Sequence, residues 1–417
     1  MMHYNFCRVP KLLRITPAIA AGVTDNIWAL DDVALRHCER NEQARPDFRS
    51  WQGHIAILRI RRSIACDLQV IVYHLHFASG GGDAFGGVEG MERVLLTGVT
   101  GYIGQHCAAE LLRQDYKVVG TIRSRAKADA TRIAIAKVAP VDGLSFVEAD
   151  LLADKGWDAA MRECTFVMHV ASPFALGEPN NENEMIVPAV EGTKRVIVAA
   201  QGAGVKRMVL TSSTFAIIAG KDSGRYGPDD WSDLTARIGA YAKSKTLAER
   251  AAWVAAKAGS MELTVIAPGA VFGPSLGAKM EGQSVALMTD MIGGKMPMIP
   301  DMSMGMIDVR DVARLHVKAM TAVDAAGKRF IAASAEPIEM ATVAGVLKTA
   351  GYFRVPSRKA PTILLKFIGL FDREVKGMLP FIGRAASFDN SATFDTLEWK
   401  PTPIETSFRE MAAAITA

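Results

Sequence analysis

The sequence predicts an α/β fold, a doubly wound parallel sheet with helices on both faces. Two observations carry this prediction. From Arg93 onward, near-continuous apolar runs alternate with helical stretches of suitable length, which is typical of parallel strands that are buried on both faces. A glycine-rich turn, residues 98–104, joins the first apolar run to the first helical stretch. Because ligands of such sheets bind beyond the carboxyl ends of the strands, we expect the functional site at that edge.

Six apolar runs are assigned to strands. In chain order they are RVLLTG (93–98), KVVGTIR (117–123), LSFVEAD (144–150), TFVMHVAS (165–172), KRMVLTSS (206–213) and ELTVIAP (262–268). Helical stretches lie between them, beginning with GQHCAAELLRQD after the glycine turn. We therefore expect residues 91–273 to form the sheet domain. Beyond 273 the alternation weakens, so residues 274–417 are expected to form mainly a smaller lobe, with a strand at about 328–334 that returns to the sheet.

Residues 1–90 have a different character from the rest of the chain. They hold three of the five cysteines and five of the eight histidines, and they lack the strand–helix alternation. They end in ASGGGDAFGGVEG, which is typical of a flexible linker, and Met91 directly precedes the first strand. We expect Met91 to be the native start and residues 1–90 to be an irregular upstream extension. The alternative is an accessory segment for targeting or for partner binding.

Composition excludes several classes of protein. The chain has 417 residues, of which 49% are hydrophobic and 22% charged, the balance of a globular domain. Its net charge of +4 is spread without a dense basic block, which disfavours a nucleic-acid partner. No apolar run reaches the ~18 residues of a membrane span, and no signal peptide is evident. The five cysteines lack a CxxC pair, so we expect no disulfide framework, no metal site and a cytoplasmic location.

Gly98, Gly101 and Gly104 have GxxGxxG spacing directly after the first strand. Glycine lets backbone N–H groups approach a pyrophosphate closely, and the N-terminus of the following helix favours the same anion. This placement favours a Rossmann-like nucleotide-binding loop over a plain turn. Where the second strand ends, an acidic residue would select NAD, whereas Arg123 suits the 2′-phosphate of NADP. Arg125 and Lys127 either add charge there or are solvated.

The segment GAYAKSKTLAER contains Tyr241 and Lys245. Four residues apart on a helix, their side chains lie on one face. A lysine cation nearby would lower the tyrosine pKa from about 10 by about 1–3 units, and the pair would then serve as a general acid for a carbonyl oxygen. Ser212 and Ser213 end the fifth strand at the expected binding edge. A serine there either hydrogen-bonds the reacting carbonyl or only caps the strand end.

Other features have two interpretations each. Asp150, at the end of the third strand, either meets an adenine amino group or caps a helix over LLADKGWDAAM, and both can hold. His169 is interpreted as a packed histidine rather than an acid–base catalyst, and His74 and His76 as incidental rather than metal ligands. A methionine-rich segment is either an adaptable substrate flap or ordinary packing. Its members are Met280, Met288, Met291, Met296, Met298, Met302, Met304 and Met306.

Five motifs occur together in a characteristic order. They are TGVTGYIG, HVASP, LTSS, YAKSKTLAE and IAPGAVFGP. In this order they resemble the extended short-chain dehydrogenases/reductases of the NAD-dependent epimerase/dehydratase superfamily. The segments DDWSD (229–233) and MIDVRDVARLHVKAM (306–320) point to the dihydroflavonol-4-reductase-like branch, which includes bacterial aldehyde and ketone reductases. The resemblance covers about residues 92–416.

The resemblance implies a role for each matching residue. Ser213 would orient the carbonyl, Tyr241 would donate the proton, and Lys245 would lower the tyrosine pKa and hold the nicotinamide ribose. Arg123 would meet the 2′-phosphate of NADP(H). The remaining implied cofactor contacts are Gly98, Thr100, Gly101, Tyr102, Ile103, Gly104, Asp150, Leu151, Ala171, Ser172, Pro268 and Val271.

The function implied is NADPH-dependent reduction of an aldehyde or ketone to an alcohol. The alternatives are an NAD-dependent sugar-nucleotide epimerase or dehydratase, a 3β-hydroxysteroid dehydrogenase-like enzyme, or a non-catalytic NADP sensor. Arg123 disfavours the sugar enzymes, and the serine–tyrosine–lysine set disfavours the sensor. The spacing from Ser213 to Tyr241 is shorter than in the plant flavonoid enzymes, which disfavours a flavonoid substrate. We expect a small carbonyl substrate bound partly by the C-terminal lobe, and a monomer or homodimer.

Overall fold

The structure is a computed structural model that describes residues 91–172, 179–277 and 282–417. The described residues all belong to one compact unit, residues 87–417. The expectations for residues 1–90, including His74 and His76, lie outside the described residues, as does Met280.

Thirteen strands are formed by the described residues. They are β1 (Arg93–Thr97), β2 (Lys117–Ile122), β3 (Leu144–Glu148), β4 (Phe166–His169), β5 (Arg207–Thr211), β6 (Gly224–Tyr226), β7 (Glu262–Pro268), β8 (Ala270–Phe272), β9 (Ser303–Met304), β10 (Met306–Asp308), β11 (Arg329–Ala332), β12 (Ile338–Glu339) and β13 (Ala386–Phe388). Seven of them form one sheet in the order β3-β2-β1-β4-β5-β7-β11. Every neighbouring pair in it is parallel.

Thirteen helices accompany these strands. They are α1 (Tyr102–Arg113), α2 (Ala128–Ala136), α3 (Trp157–Met161), α4 (Asn183–Gly202), α5 (Phe215–Ile218), α6 (Gly239–Ala256), α7 (Gln283–Gly293), α8 (Val309–Thr321), α9 (Met340–Thr349), α10 (Thr362–Ile368), α11 (Arg373–Met378), α12 (Ser391–Leu397) and α13 (Ile404–Thr416). The strand order reverses direction between β1 and β4, which is the topological switch point where ligands of doubly wound sheets bind. The predicted fold class is confirmed.

Both faces of the sheet are buried, as the uniform apolar strands predicted. Along β1, Val94 and Leu96 belong to one core cluster and Leu95 to the other, because successive strand residues point to opposite faces. The first cluster includes Leu111 of α1 and Leu315 of α8, and the second is completed by apolar residues of α4 and α6. Helices therefore cover the sheet on both sides.

The segment that follows β3 differs in part from the helix predicted there. The helix expected over LLADKGWDAAM forms only as α3, because Gly156 has a φ of +97° and an added Cβ there would lie 2.2 Å from the Glu148 carbonyl oxygen. Residues 151–156 are instead turns and bends.

Beyond residue 273, β11 pairs in register with β7, with Arg329 opposite Val265. Three two-stranded pairs lie outside the seven-stranded sheet, namely β6/β13, β8/β10 and β9/β12.

Candidate active site

The glycine-rich segment 98–104, which spans the β1–α1 loop and the first residues of α1, leaves no room for side chains at two of its glycines. Gly98 has a φ of +73°, and a Cβ on it would lie 2.8 Å from the backbone nitrogen of Ala171. A Cβ on Gly104 would lie 2.0 Å from the carbonyl oxygen of Gly98, whereas one on Gly101 would keep 3.4 Å from that atom. No side chain caps the N-terminus of α1. Its free amides and dipole therefore face the loop, which is the arrangement that binds phosphate.

The residues after Gly101 reach this site differently from one another. The Tyr102 side chain is buried, and its hydroxyl donates to the carbonyl of Gly273 at 2.7 Å. It therefore joins α1 to the end of β8, and only its backbone N–H can serve a ligand at the helix N-terminus. Ile103 packs against the core. The Thr100 carbonyl accepts a hydrogen bond from the Gln105 amide at 3.2 Å, which holds the loop over the first helical turn.

A buried polar cluster fixes the switch point between β1 and β4. The Thr97 hydroxyl lies 2.7 Å from Nδ1 of His169 and accepts from the backbone N–H of Ala171 at 3.0 Å. Burial and the nearby Lys245 charge lower the pKa of His169 to about 3, so the ring is neutral. Its packed position agrees with the interpretation made from the sequence. The segment with Ala171 and Ser172 thus lies beside the glycine loop.

Arg123, directly after β2, is exposed and has no ion-pair partner among the described residues. Arg125 and Lys127 are also exposed, and the backbone N–H of Arg125 donates to Glu148 at 3.1 Å. Three cationic side chains therefore stand at the carboxyl end of β2, next to the glycine loop on β1. This charge suits a phosphate better than a ribose hydroxyl.

Asp150 and Leu151 follow β3 at the same edge of the sheet. Oδ1 of Asp150 accepts the backbone N–H of Leu152 at 2.9 Å, so the carboxylate stabilises a turn. It does not cap a helix, because α3 begins only at Trp157. Leu151 packs closely on α4, since a Cβ on Gly192 would lie 2.8 Å from the Cβ of Leu151. The other interpretation of Asp150, adenine binding, stays a prediction.

Ser213 and Tyr241 come together at the end of β5. The Ser213 hydroxyl is hydrogen-bonded to the Tyr241 side chain and accepts the backbone N–H of Phe215 at 3.2 Å. Tyr241 lies in the first turn of α6, one turn before Lys245 on the same face. A serine and a tyrosine hydroxyl that share a hydrogen bond can both contact one carbonyl oxygen.

Lys245 is buried beneath this pair. Its Nζ donates to the carbonyl oxygen of Thr211 at 3.3 Å. Burial lowers the pKa of Lys245 from 10.5 to about 8, and the charge of Glu249 opposes that fall. Below about pH 8 the lysine is therefore a cation at the centre of the site.

The pKa of Tyr241 differs from the sequence-based expectation. Burial raises it above 10.0, and the hydrogen bond with Ser213 offsets only part of the rise. The expectation was a lowered pKa through Lys245, but the desolvation of the phenol dominates and the ammonium is directed to Thr211. Tyr241 is thus a protonated hydroxyl that can donate a proton.

Pro268 and Val271 lie at the carboxyl end of β7 and in β8. Both are buried, and the Pro268 carbonyl accepts the backbone N–H of Thr214 at 2.9 Å. This bond ties the end of β7 to the segment that carries Ser213. The predicted site residues from β1, β4, β5, α6 and β7 are therefore brought to one edge of the sheet.

An aromatic group that was not predicted from the sequence lies beside Tyr241. The Phe215 ring meets the Tyr241 ring edge-on, with centroids 6.0 Å apart, and lies 4.4 Å from the Phe381 ring. With Ile218, Met302 and Met304, these two phenylalanines line a cavity of about 40 Å³. The position of Phe215, two residues after Ser213, is the sequence signal that could have placed it near the site.

The methionine-rich segment mostly serves packing. Met288, Met291, Met302 and Met306 are buried in the main core cluster, and Met296 and Met304 pack against it. Met298 is partly buried. Of the described methionines in this segment, only Met302 and Met304 also reach the cavity beside Phe215. Ordinary packing therefore accounts for the segment better than a flap lined throughout by methionine.

A dependence on pH follows from the Lys245 pKa. If catalysis needs the cation, kcat/KM should be constant below about pH 8 and fall as the pH rises through that value, because kcat/KM reports ionisations of the free enzyme. In Lys245→Arg the residual activity should lack this fall, since arginine stays protonated. A wild-type profile that is flat to about pH 10 would contradict the assignment.

The residues at this edge fit a dinucleotide. The segment 98–104 excludes side chains at Gly98 and Gly104, the N-terminus of α1 has no side-chain cap, and Arg123 is exposed at the next strand end. Within the described ranges, no group of three or more His, Cys, Asp or Glu side chains could hold a metal ion. In the same ranges no helix is long and apolar enough to cross a membrane.

Comparisons with known proteins agree with this geometry. The model of the NAD dependent epimerase/dehydratase family matches residues 94–333. The NADPH-dependent methylglyoxal reductase of Saccharomyces cerevisiae is 30% identical over 269 residues, which cover 58% of this chain and 78% of the relative. A cinnamoyl-CoA reductase of Medicago truncatula is 32% identical over 249 residues, which cover 57% of this chain and 75% of the relative.

A solved structure extends the match beyond sequence. The NADPH complex of Gre2 from Candida albicans has a TM-score of 0.65 at 25% identity and covers 78% of this chain and 98% of its own. The family predicted from the ordered motifs is therefore confirmed. The chain belongs to the NAD dependent epimerase/dehydratase family.

Proposed function

We propose that this protein is an NADPH-dependent reductase that converts an aldehyde or ketone to an alcohol, with Tyr241 as the proton donor. One observation carries the proposal. The hydrogen-bonded Ser213 and Tyr241 hydroxyls and the buried Lys245 stand at the carboxyl edge of the sheet that also carries the glycine loop. The expected function and cofactor agree with the relatives, one of which is named an NADPH-dependent methylglyoxal reductase.

Each catalytic side chain has a defined task in this proposal. NADPH supplies the hydride when it is bound. The Ser213 hydroxyl hydrogen-bonds the carbonyl oxygen and holds it beside Tyr241. The phenol donates its proton to that oxygen as negative charge develops there. The Lys245 cation, one helical turn beyond Tyr241, holds the nicotinamide ribose.

The cofactor would be held by groups at the ends of five strands of the sheet, β1, β2, β3, β4 and β7. The free amides of α1 bind the pyrophosphate, Arg123 binds the 2′-phosphate, and Ala171 and Ser172 line the channel beside β4. Pro268 and Val271 bracket the nicotinamide. The polar turn at Asp150 lies next along the sheet, where the adenine is expected. Each of these assignments follows the family pattern at the matching residue. The fold supports them because it brings these residues to the same edge of the sheet.

Removing Arg123 should weaken the binding of NADPH selectively. In Arg123→Ala we expect KM for NADPH to rise about tenfold or more, since hydrogen bonds to a charged group contribute about 1.5–3 kcal/mol. KM for NADH, which lacks the 2′-phosphate, should change by less than about threefold, within the scatter of a surface substitution. Arg409→Ala, which removes an exposed arginine of α13, is the matched control. Equal effects on both cofactors would contradict the role.

The proposed function is tested by steady-state turnover of the full chain. NADPH consumption is followed by nicotinamide absorbance with a panel of aliphatic and aromatic aldehydes and ketones. We expect substrate-dependent consumption with NADPH and slower consumption with NADH. A chain that retains NAD through purification and consumes no NADPH would instead support the epimerase or dehydratase alternative.

The setting of this activity is also a proposal. We infer a cytoplasmic enzyme, a monomer or homodimer without a nucleic-acid partner, whose residues 274–417 contribute mainly to substrate binding. The two described cysteines, Cys107 and Cys164, are free and buried thiols, which is compatible with a reducing compartment. Size-exclusion chromatography with light scattering measures the oligomeric state directly.

A further inference from the structure

A buried ion pair lies next to the proposed catalytic residues. Glu249 is 1% exposed and Arg329 is 7% exposed. The guanidinium donates through Nε to Oε1 at 2.6 Å and through Nη2 to Oε2 at 2.7 Å. Two buried charges in this bidentate geometry are far from solvent, and such pairs often add little net stability. Their position in the fold is therefore more informative than their contribution to folding.

The pair joins the elements that carry the catalytic side chains. Glu249 lies on α6, one helical turn beyond Lys245 and two beyond Tyr241. Its carboxylate also accepts hydrogen bonds from the Ser212 hydroxyl and, at 3.1 Å, from Nε1 of Trp253. Because Ser212 directly precedes Ser213, one carboxylate connects the end of β5 to the catalytic helix.

Arg329 fastens the loop between Ser213 and Tyr241 to the same point. Its Nη1 donates to the carbonyl oxygens of Pro228 at 3.1 Å and Asp230 at 2.5 Å. The guanidinium also lies 4.0 Å from the centre of the Trp231 ring, a cation–π contact. The next residue, Ser232, hydrogen-bonds Thr246 of α6 at 2.7 Å.

We propose that Glu249 and Arg329 are positioning residues of this active site: their pair holds the end of β5, the Trp231 loop and α6 together, and the Glu249 carboxylate places its negative charge one helical turn from Lys245. The proposal rests on the proposed function for its kinetic consequences. The hydrogen bonds set the position of Ser213 relative to Tyr241, and displacements of about 1 Å in such a site cost up to about a hundredfold in rate.

The charge part of the proposal depends on what faces Lys245. From β4 comes His169, which is neutral because burial lowers its pKa to about 3. From β5 comes the Thr211 carbonyl, and on α6 lie the protonated Tyr241 and Glu249. Among these groups Glu249 carries the negative charge, and it raises the pKa of Lys245 against the effect of burial. Removing that charge should let the lysine lose its proton at lower pH.

Three variants of the full chain test the proposal. Glu249→Gln removes the charge, and Glu249→Gln/Arg329→Met removes the pair without leaving a buried charge unpaired, so it remains informative if the single variant fails to fold. Ser212→Ala keeps both charges and removes one link to β5. Glu262→Gln is the control, because Glu262 pairs with the buried Arg207 where β5 and β7 begin, at the opposite edge of the sheet.

We expect kcat to fall about tenfold to a hundredfold in the two Glu249 variants, with KM changed much less. The alkaline limb should move to lower pH in both, and further in Glu249→Gln, which leaves the Arg329 cation unpaired. Ser212→Ala should lose kcat without moving the limb, and Glu262→Gln should match the wild type in both. Wild-type kcat and an unmoved limb in the folded double variant would overturn the proposal. Wild-type kcat in Ser212→Ala would overturn its positioning part.

A second readout separates this proposal from the proposed function. A ¹⁵N NMR titration of the lysine side chains, with Lys245 assigned by its absence in Lys245→Arg, measures its pKa without any substrate. A lower Lys245 pKa in the double variant than in wild type and Glu262→Gln supports the charge part even if no carbonyl is reduced. An unchanged Lys245 pKa overturns it, whatever the activity.

Discussion

Replacing Tyr241 by phenylalanine is expected to lower kcat for carbonyl reduction by about 10²–10⁴-fold, the usual contribution of a positioned general acid. The substitution removes only the hydroxyl that hydrogen-bonds Ser213 and leaves the ring packed against Phe215. The fold and the glycine loop should therefore be unchanged. The dissociation constant of NADPH, measured by fluorescence, should remain within about threefold of wild type.

The control for this prediction is Tyr116→Phe. Tyr116 directly precedes β2, at the edge of the sheet opposite to the proposed site, so its hydroxyl has no role in the proposed chemistry. We expect wild-type kcat in that variant. A Tyr241→Phe enzyme that folds, binds NADPH and retains more than about a tenth of wild-type kcat would rule out Tyr241 as the proton donor.

Alanine at two glycines of the segment 98–104 should weaken NADPH binding in both cases but lower the stability of the fold in only one. In Gly104→Ala the new Cβ would lie 2.0 Å from the Gly98 carbonyl oxygen, so the backbone must move. We expect the free energy of unfolding to fall by about 1–3 kcal/mol, as for other overpacked sites, and NADPH binding to be lost with the loop geometry. Urea unfolding and NADPH fluorescence measure the two effects.

Gly101→Ala should leave the fold intact and weaken cofactor binding alone. Its Cβ would keep 3.4 Å from the Gly98 oxygen, and the φ of Gly101 is −86°, which any residue adopts. The methyl group would nevertheless stand at the helix N-terminus where the pyrophosphate is expected, so we expect affinity to fall about tenfold, or about 1.4 kcal/mol. Gly345→Ala, in open space on α9, is the control. Wild-type stability and NADPH affinity in Gly104→Ala would contradict this account of the loop.

Much of the fold could be predicted because parallel strands buried on both faces leave a strong local pattern. The run RVLLT forms β1, and the glycine-rich segment 98–104 forms the β1–α1 loop and the start of α1, since both depend on residues close in sequence. The edge shared by Gly98, Ser213 and Tyr241 also followed, because all parallel strands end on one side. The helix expected after Asp150 begins only at Trp157, because Gly156 before it has a positive φ and lies against the Glu148 carbonyl oxygen.

The rest of the site depends on distant contacts and on a balance of opposing effects. Phe381 meets Phe215 only through the path of the C-terminal segment. Glu249 and Arg329 are 80 residues apart in sequence. Nothing in the sequence around either residue indicates that the two side chains pair. Whether the pKa of Tyr241 is raised or lowered depends on how deeply its hydroxyl is buried and on whether the Lys245 ammonium is directed toward that hydroxyl. No spacing pattern contains that information.

The measurement that tests the central claim most directly is deuterium transfer from NADPH deuterated at its transferable position. The full chain is incubated with a carbonyl compound that it turns over, and the alcohol is analysed by mass spectrometry and NMR. The account predicts one deuterium on the carbinol carbon for each NADPH consumed, and almost none with Tyr241→Phe in the same time. An unlabelled product, or conversion of substrate without net NADPH consumption, would contradict it.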